Sequence, residues 1–197
     1  MRFPVFPLNG AILFPGTNLP LNIFEKRYIQ MIDYALSNNR LLGMIQTKEN
    51  KEFYKIGCLG KITNFTETTD GRYQINLEGL HRFQFEKIIK NDFQFITIEG
   101  KTLNIKPSLK ENNSSLNTKL LSNFKDYLSA KKINFNTAEF ESLNTSNLVK
   151  IICVISPLDH LIKQMLLEFN SEDDLSENLL SVLEIETKNK ENSSKVN

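Results

Sequence analysis

Apolar residues in the first hundred positions fall into short runs separated by glycine, asparagine and aspartate, a pattern typical of β-strands joined by turns. The strongest local signal is Asp70-Gly71, which predicts a hairpin with a tight primed turn. Three apolar residues then alternate with polar ones: Tyr73, Ile75 and Leu77. One face of that strand is therefore predicted to be buried, and Gly79 is predicted to end it. Further strands are predicted over 41–46, 54–67 and 93–98.

The lead-in to this region is apolar but broken by Pro7, Pro15 and Pro20. Because proline cannot donate a hydrogen bond to a neighbouring strand, these pieces are predicted to be edge strands or extended turns. The spacing then becomes helical, and the predicted apolar face comprises Phe24, Tyr28, Ile32, Ala35 and Leu36. About six short strands with one helix favour a closed or nearly closed antiparallel barrel.

After a polar stretch the apolar spacing is helical throughout, which predicts a bundle of helices. Its first stripe comprises Leu116, Leu120, Leu121, Phe124, Tyr127 and Leu128. Ser156 is predicted to cap one helix and Ser171 to start the last one. The predicted division is a β-barrel over 1–105, a linker over 106–118, a helical bundle over 119–187 and a disordered tail over 188–197.

Composition narrows the possible functions. The 24 basic and 23 acidic residues give a net charge of +1, which provides no general attraction to nucleic acid or to anionic membranes. Cys58 and Cys153 lie in apolar runs and are predicted to be buried free thiols of a reducing compartment. With neither a signal peptide nor an apolar run of membrane length, we expect a soluble cytoplasmic protein.

Signatures of catalysis are missing from the sequence. His81 and His160 are the only histidines, and neither is spaced with a cysteine as a metal ligand. Cys58 has no base beside it in the sequence, and Asp173-Asp174 is interpreted as charge at a helix start. The Arg72-Tyr73 hairpin tip could stack on a nucleotide base but lacks a basic stripe around it. We therefore expect no cofactor, no metal and no catalytic residues.

Three N-terminal segments carry a resemblance to a known family: Phe6-Pro7-Leu8-Asn9-Gly10, Leu13-Phe14-Pro15-Gly16 and Leu19-Pro20-Leu21-Asn22-Ile23-Phe24-Glu25-Lys26-Arg27-Tyr28. They are similar to the opening of the Lon protease N-terminal domain, and residues 56–62, 70–73, 79–83 and 156–168 resemble its later parts. The resemblance implies an α+β fold, a PUA-like antiparallel β-barrel with one helix followed by a C-terminal helical bundle. It also implies a role in binding substrate proteins.

The full protease also carries an AAA+ ATPase module and a Ser–Lys peptidase domain, and this 197-residue sequence contains no nucleotide-binding loop. We therefore expect a stand-alone, non-enzymatic module. Its expected partners are unfolded or damaged polypeptides, and a separate protease or chaperone is a further candidate. Binding is expected between barrel and bundle or at an exposed barrel edge. The candidate contacts are Phe14, Leu19, Phe24, Arg27 and Tyr28. RNA binding by a PUA-like barrel is the alternative, and an unrecognised enzyme is disfavoured.

Overall fold

The computed structural model describes residues 1–107 and 113–195, with side chains as far as Lys190. The strands are β1 (Arg2–Pro7), β2 (Asn18–Ile23), β3 (Leu41–Ile45), β4 (Ile56–Glu67), β5 (Tyr73–Ile89) and β6 (Ile96–Leu103). The helices are α1 (Lys26–Leu36), α2 (Ser114–Ala130), α3 (Thr145–Ile155), α4 (His160–Glu168) and α5 (Glu172–Lys195). These elements cluster into two compact units, Met1–Asn104 with Asp159–Leu167, and Ile105–Leu158 with Glu168–Asn197.

The six strands of the first unit form a sheet that closes on itself. Their order is β2-β5-β4-β3-β1-β6, and β5 also pairs with β6. β5 can do both because its first part pairs with β2 and its second part pairs with β6. The closed sheet and the helix α1 that packs on it confirm the predicted α+β fold class. One pairing differs from the antiparallel prediction, because β1 and β3 run parallel, joined by the long connection through β2 and α1.

Two clusters of buried side chains hold this unit together. The ring is closed by five strands, β1, β3, β4, β5 and β6, and each contributes to the first cluster, which fills the interior of the ring. Its members are Phe3, Val5, Ile45, Leu59, Phe83 and Ile98. The other lies between the strands and α1, which contributes Tyr28, Met31, Ile32 and Ala35. The strand face of Tyr73, Ile75 and Leu77 is buried there as predicted. Phe24 is predicted to lie on the apolar face of this helix, but it is 64% exposed and precedes α1, which begins only at Lys26.

The β4–β5 hairpin is confirmed, but its turn is not the two-residue primed turn that Asp70-Gly71 predicts. The N–H of Thr68 donates to the Arg72 carbonyl at 2.8 Å, and the N–H of Gly71 donates to the Thr68 carbonyl at 2.9 Å. In this loop only Gly71 has a positive φ, +78°, whereas a type I′ turn needs two such residues. The loop is therefore the three-residue kind that ends on a left-handed glycine.

Gly79 does not end β5, contrary to the prediction, and the strand continues through it. A Cβ atom at Gly79 would lie 2.1 Å from the Phe14 carbonyl oxygen. The N–H of Gly16 donates to the Gly79 carbonyl and the N–H of Gly79 donates to the Thr17 carbonyl, both at 2.8 Å. Glycine is required here because the backbone of the turn at 14–17 lies directly against the strand.

β1 lies between β3 and β6 and is not the edge strand that its prolines predict. Pro4 precedes the first β1 residue paired with β3, and Pro7 lies beyond the last one paired with β6. The missing donors therefore fall at the ends of the two ladders, where they disrupt little. β2, which contains Pro20, pairs only with β5 and is an edge strand as predicted.

Several predicted boundaries also differ from the structure. β6 begins at Ile96, and α2 begins at Ser114 inside the predicted linker. α5 extends to Lys195, through most of the predicted disordered tail; residues 108–112 and 196–197 lie outside the described part. Asp159, not Ser156, accepts the first N–H at the start of α4, from Leu161 at 2.8 Å, whereas the Ser156 hydroxyl donates to the Ile152 carbonyl. Ser171 caps α5 as predicted, accepting from the Asp174 N–H at 3.0 Å.

The second unit contains α2, α3 and α5, and its core comprises Leu120, Phe124, Tyr127, Leu128, Leu148, Val149, Ile152, Leu175, Leu179 and Leu183. The Lys150 ammonium lies 3.0 Å from the Glu172 carboxylate, and both side chains are largely buried. This ion pair joins α3 to the start of α5. Cys58 of the first unit and Cys153 of the second are both free and buried, as predicted.

Residues of α4 are bonded to the barrel through three buried polar side chains, Gln46, Arg82 and Gln164, here called the α4 polar cluster. Gln46 Nε2 donates to the His160 carbonyl at 3.1 Å and to Gln164 Oε1 at 3.2 Å. Gln164 Nε2 donates to the Ile56 carbonyl at 3.0 Å, and Arg82 Nη1 donates to the Leu167 carbonyl at 2.9 Å. Asp159–Leu167 therefore groups with the barrel, although the sequence places it among the helices.

Candidate functional site

The residues predicted as contacts do not form one surface. Phe14 and Tyr28 are buried, with 2% and 7% of their surfaces exposed. Leu19 is partly buried against the core under α1. Phe24 and Arg27 are exposed. Only Arg27 and Tyr28 are brought together at a concave feature of the surface.

That feature is an open groove of about 930 Å³ on the barrel unit. It lies beside the start of α1, the loop over 47–55 and the ends of β1, β5 and β6. Its lining residues are Pro7, Arg27, Tyr28, Thr47, Lys48, Lys51, Glu52, Phe53, Lys55, Phe85, Glu86, Ile88 and Ile96. We refer to it below as the groove.

The floor of the groove is apolar. Phe53, Phe85 and Ile96 are half-buried and pack against the cluster that fills the barrel. The Phe53 and Phe85 rings meet edge to face, with their centroids 5.4 Å apart. Ile88 projects further and is 57% exposed. The floor therefore offers apolar surface on side chains that the barrel holds in place.

The loop over 47–55 forms one wall and is ordered by its own hydrogen bonds. Thr47 pairs with Phe53 in an antiparallel bridge, and the N–H of Lys48 donates to the Glu52 carbonyl at 2.8 Å. Lys51 has a φ of +65°, which turns the chain between them. The Asn9 side chain accepts the Thr47 N–H at 2.8 Å and joins the loop to the segment after β1. The wall is thus preorganised.

Charge on the rim is mostly positive. Four exposed basic residues line the groove, namely Arg27, Lys48, Lys51 and Lys55. Two acidic residues, Glu52 and Glu86, line it as well. The difference, four minus two, gives the groove a net charge of +2, whereas the whole chain carries only +1. Positive charge is therefore concentrated here relative to the rest of the surface.

Arg27 and Tyr28 form a fixed corner of the groove. The Arg27 guanidinium carbon lies 4.5 Å from the centre of the Tyr28 ring, and Nη2 lies 2.9 Å from the Glu25 carboxylate. Burial raises the pKa of the Tyr28 hydroxyl, and the nearby Arg27 charge opposes part of that rise. Tyr28 therefore stays neutral at physiological pH, and its ring packs under the Arg27 guanidinium.

Other residues considered from the sequence have structural roles. Burial raises the pKa of the Cys58 thiol, which keeps it protonated and unreactive. Tyr73 is buried, and its hydroxyl donates to Asp33 at 2.8 Å, so it is not available to stack on a base. Arg72 pairs with Asp70 at 2.6 Å, and this interaction lowers the pKa of the Asp70 carboxyl to about 2.

Two further findings concern metal ions and membranes. The described ranges 1–107 and 113–195 contain no group of three or more His, Cys, Asp or Glu side chains placed to hold a metal ion. Among the helices in these ranges, none is both long enough and apolar enough to cross a bilayer.

Most of the groove is not predicted from the sequence, in which the charged and polar residues 47–55 indicate only a surface loop. A usable signal is present there, because Lys48, Lys51 and Lys55 recur three and four residues apart on either side of Phe53. What the sequence does not reveal is that this loop lies beside Phe85 and Ile88, which follow it by about thirty residues in the chain.

Curated relatives match over nearly the whole chain. A Lon protease of Buchnera aphidicola subsp. Acyrthosiphon pisum is 26% identical over 200 residues, covering 94% of this chain and 25% of the relative. A Lon protease of Bacillus thuringiensis is 24% identical over 196 residues, covering 93% of this chain and 24% of the relative. The chain thus spans about a quarter of the length of these relatives.

Solved structures share the fold. A Lon N-terminal domain protein from Xanthomonas campestris superimposes with a TM-score of 0.71 at 18% identity, covering 92% of this chain and 98% of that one. The N-terminal domain of a Mycobacterium avium complex Lon protease gives a TM-score of 0.67 at 18% identity, covering 95% and 98%. The family model of the ATP-dependent protease La (LON) substrate-binding domain matches residues 2–185. The chain therefore belongs to the family of the LON substrate-binding domain.

Proposed function

We propose that this chain is a non-catalytic polypeptide-binding module and that its groove receives extended segments of unfolded or damaged proteins. The observation that carries the proposal is the groove itself, an open concavity of about 930 Å³ with an apolar floor and preorganised walls. Such a surface suits an extended segment that inserts apolar side chains and keeps its backbone accessible. Membership of a substrate-binding family supports the same conclusion.

Arg27 and Tyr28 remain proposed contacts, because both line the groove. Strand addition at the barrel edge is less well supported, since Pro20 removes a donor from the middle of the edge strand β2. A separate protease or chaperone is the proposed receiver of the captured polypeptide. The proposed setting is the cytosol, which keeps thiols reduced, in keeping with the free Cys58 and Cys153.

The test is the affinity for an unfolded polypeptide, alkylated on its cysteines with a neutral reagent and fluorescently labelled. Ile88→Asn removes apolar surface from the floor, and Ile185→Asn is the matched control because both isoleucines are 57% exposed. Losing one apolar contact of this size should weaken binding about tenfold. Fluorescence anisotropy titrations should show this loss for Ile88→Asn and unchanged binding for Ile185→Asn. Equal affinities for both variants would reject the groove as the binding site.

A further inference from the structure

The charged residues around the groove indicate which polypeptide segments it binds most tightly. Resting on the proposed function, we propose that the groove selects extended polypeptide segments in which acidic residues flank apolar ones. The apolar side chains contact the floor formed by Phe53, Phe85 and Ile88, and the acidic ones face the basic rim.

The rim of the groove is complementary in charge to an acidic polypeptide segment. The rim carries Arg27, Lys48, Lys51 and Lys55 against Glu52 and Glu86. All four basic residues are exposed, but Arg27 already pairs with Glu25, so the three lysines are the side chains placed to meet an acidic ligand. Acidic residues on a bound segment gain from this excess, whereas basic residues would meet like charge at most positions.

Arg27 also belongs to this rim. It lies in the first turn of α1, where the helix dipole disfavours a cation, and that turn contains no acidic residue. The Glu25 side chain at the N-cap makes no capping hydrogen bond and instead pairs with Arg27. This arrangement does little for helix stability, and it places a guanidinium and the positive end of a helix beside the groove. Because the Glu25 carboxylate neutralises part of that charge, most of the positive charge available to a ligand comes from Lys48, Lys51 and Lys55.

The apolar floor favours a polypeptide over RNA as the ligand. Binding of single-stranded nucleic acid relies on aromatic faces open to stacking along a basic track. Here Phe53 and Phe85 are half-buried and pack edge to face against each other, and Tyr28 is covered by Arg27. Aliphatic and aromatic side chains of a peptide fit such a floor better than nucleotide bases do.

The experiment uses three short labelled peptides that contain the same apolar residues. In the acidic peptide these alternate with aspartate and glutamate, in the amide peptide with asparagine and glutamine, and in the basic peptide with lysine. We expect the acidic peptide to bind about tenfold more tightly than the amide peptide, because several exposed ion pairs together contribute that much. The basic peptide should bind most weakly. The preference should shrink as salt is raised.

Two lysine variants locate the preference. Replacing Lys48, Lys51 and Lys55 together by glutamine should remove it, whereas replacing Lys61, Lys101 and Lys119, which are exposed outside the groove, should leave it intact. Loss of the preference in the second variant would overturn the inference.

The remaining outcomes separate this inference from the proposed function. Equal binding of all three peptides, weakened in each case by Ile88→Asn, would overturn the acidic preference and keep the polypeptide-binding groove. If Ile88→Asn weakened none of them, the proposed function itself would fail. A mixed-sequence RNA oligonucleotide that bound more tightly than the acidic peptide would overturn the inference. So would self-association of the protein that Ile88→Asn abolished, since the groove would then receive a second copy.

Discussion

Polar side chains are concentrated in two regions of the barrel unit, which differ in solvent exposure and in hydrogen bonding. In the α4 polar cluster, Gln46, Arg82 and Gln164 are at most 3% exposed and donate to carbonyls of α4 or of the barrel. Around the groove, Lys48, Lys51 and Lys55 are exposed. The cluster is shut off from solvent, whereas the rim faces it.

This difference indicates which polar residues maintain the fold and which are available to a ligand. A buried donor removed from its acceptor leaves an unpaired group that water cannot reach, so substitution costs stability. An exposed ammonium keeps its hydration whether or not a partner is present. We therefore expect substitutions in the cluster to change the free energy of unfolding, and substitutions on the rim to change binding.

Arg82→Met should have the largest effect. It removes the donor to the Leu167 carbonyl near the end of α4 and to the Asn104 carbonyl, while keeping most of the buried apolar stem. We expect a loss of about 3 kcal/mol in the free energy of unfolding, because two carbonyls lose a charged donor. Urea denaturation measures it, with the exposed Arg2→Met as control. A loss below that of the control would contradict the role given to the cluster.

Gly79→Ala should come next. The added Cβ would lie 2.1 Å from the Phe14 carbonyl oxygen, so either the 14–17 turn or β5 must move. We expect a destabilisation of about 2 kcal/mol, typical of overpacking against backbone. Gly100→Ala is the comparison variant, because a Cβ atom added at Gly100 would lie 3.2 Å from its nearest neighbouring atoms. In thermal unfolding experiments the melting temperature of Gly79→Ala should be well below that of Gly100→Ala. The reverse order would show that the turn at 14–17 does not require glycine at position 79.

Gln164→Leu should be milder than Arg82→Met. It removes the donor to the Ile56 carbonyl and an acceptor of Gln46, but no charged group is involved. The expected loss is about 1–2 kcal/mol in the free energy of unfolding. Gln84→Leu, at an exposed position of β5, is the control in the same denaturation experiment. Indistinguishable values for the two variants would mean that the buried amide contributes nothing to holding α4.

The groove rim should show the smallest effect on stability. Replacing Lys48, Lys51 and Lys55 by glutamine should change the free energy of unfolding by less than about 0.5 kcal/mol, because these side chains are exposed and the loop is held by backbone bonds. Chemical denaturation with a circular dichroism signal checks this. A destabilisation as large as that of Gln164→Leu would show that these lysines stabilise the fold, which would contradict the distinction between the rim and the α4 polar cluster.

Local features of the fold could be predicted because they depend on neighbouring residues. The alternation of Tyr73, Ile75 and Leu77 indicated their buried face, and Ser171 was identifiable as a helix cap. The errors arise where distant residues decide. Gly79 depends on Phe14, and the place of β1 inside the sheet depends on partners some forty and ninety residues away in sequence.

The groove was the hardest feature to predict from sequence. Its predicted members Arg27 and Tyr28 are joined by residues from a loop and three strands that only the closed sheet brings together. Phe14, predicted as a contact because of its position in an apolar motif, is buried and lines no part of the groove. An apolar residue in a motif can serve packing or binding, and its sequence alone does not separate the two.

The most direct test of the groove as the binding site is hydrogen–deuterium exchange of the unmodified protein with and without saturating unfolded polypeptide. Backbone amides of the loop over 47–55 should exchange more slowly in the complex, because the bound segment covers that wall. The hairpin loop over 68–72, which lines no part of the groove, should exchange at an unchanged rate. Binding that left 47–55 unprotected while slowing exchange elsewhere would contradict the account.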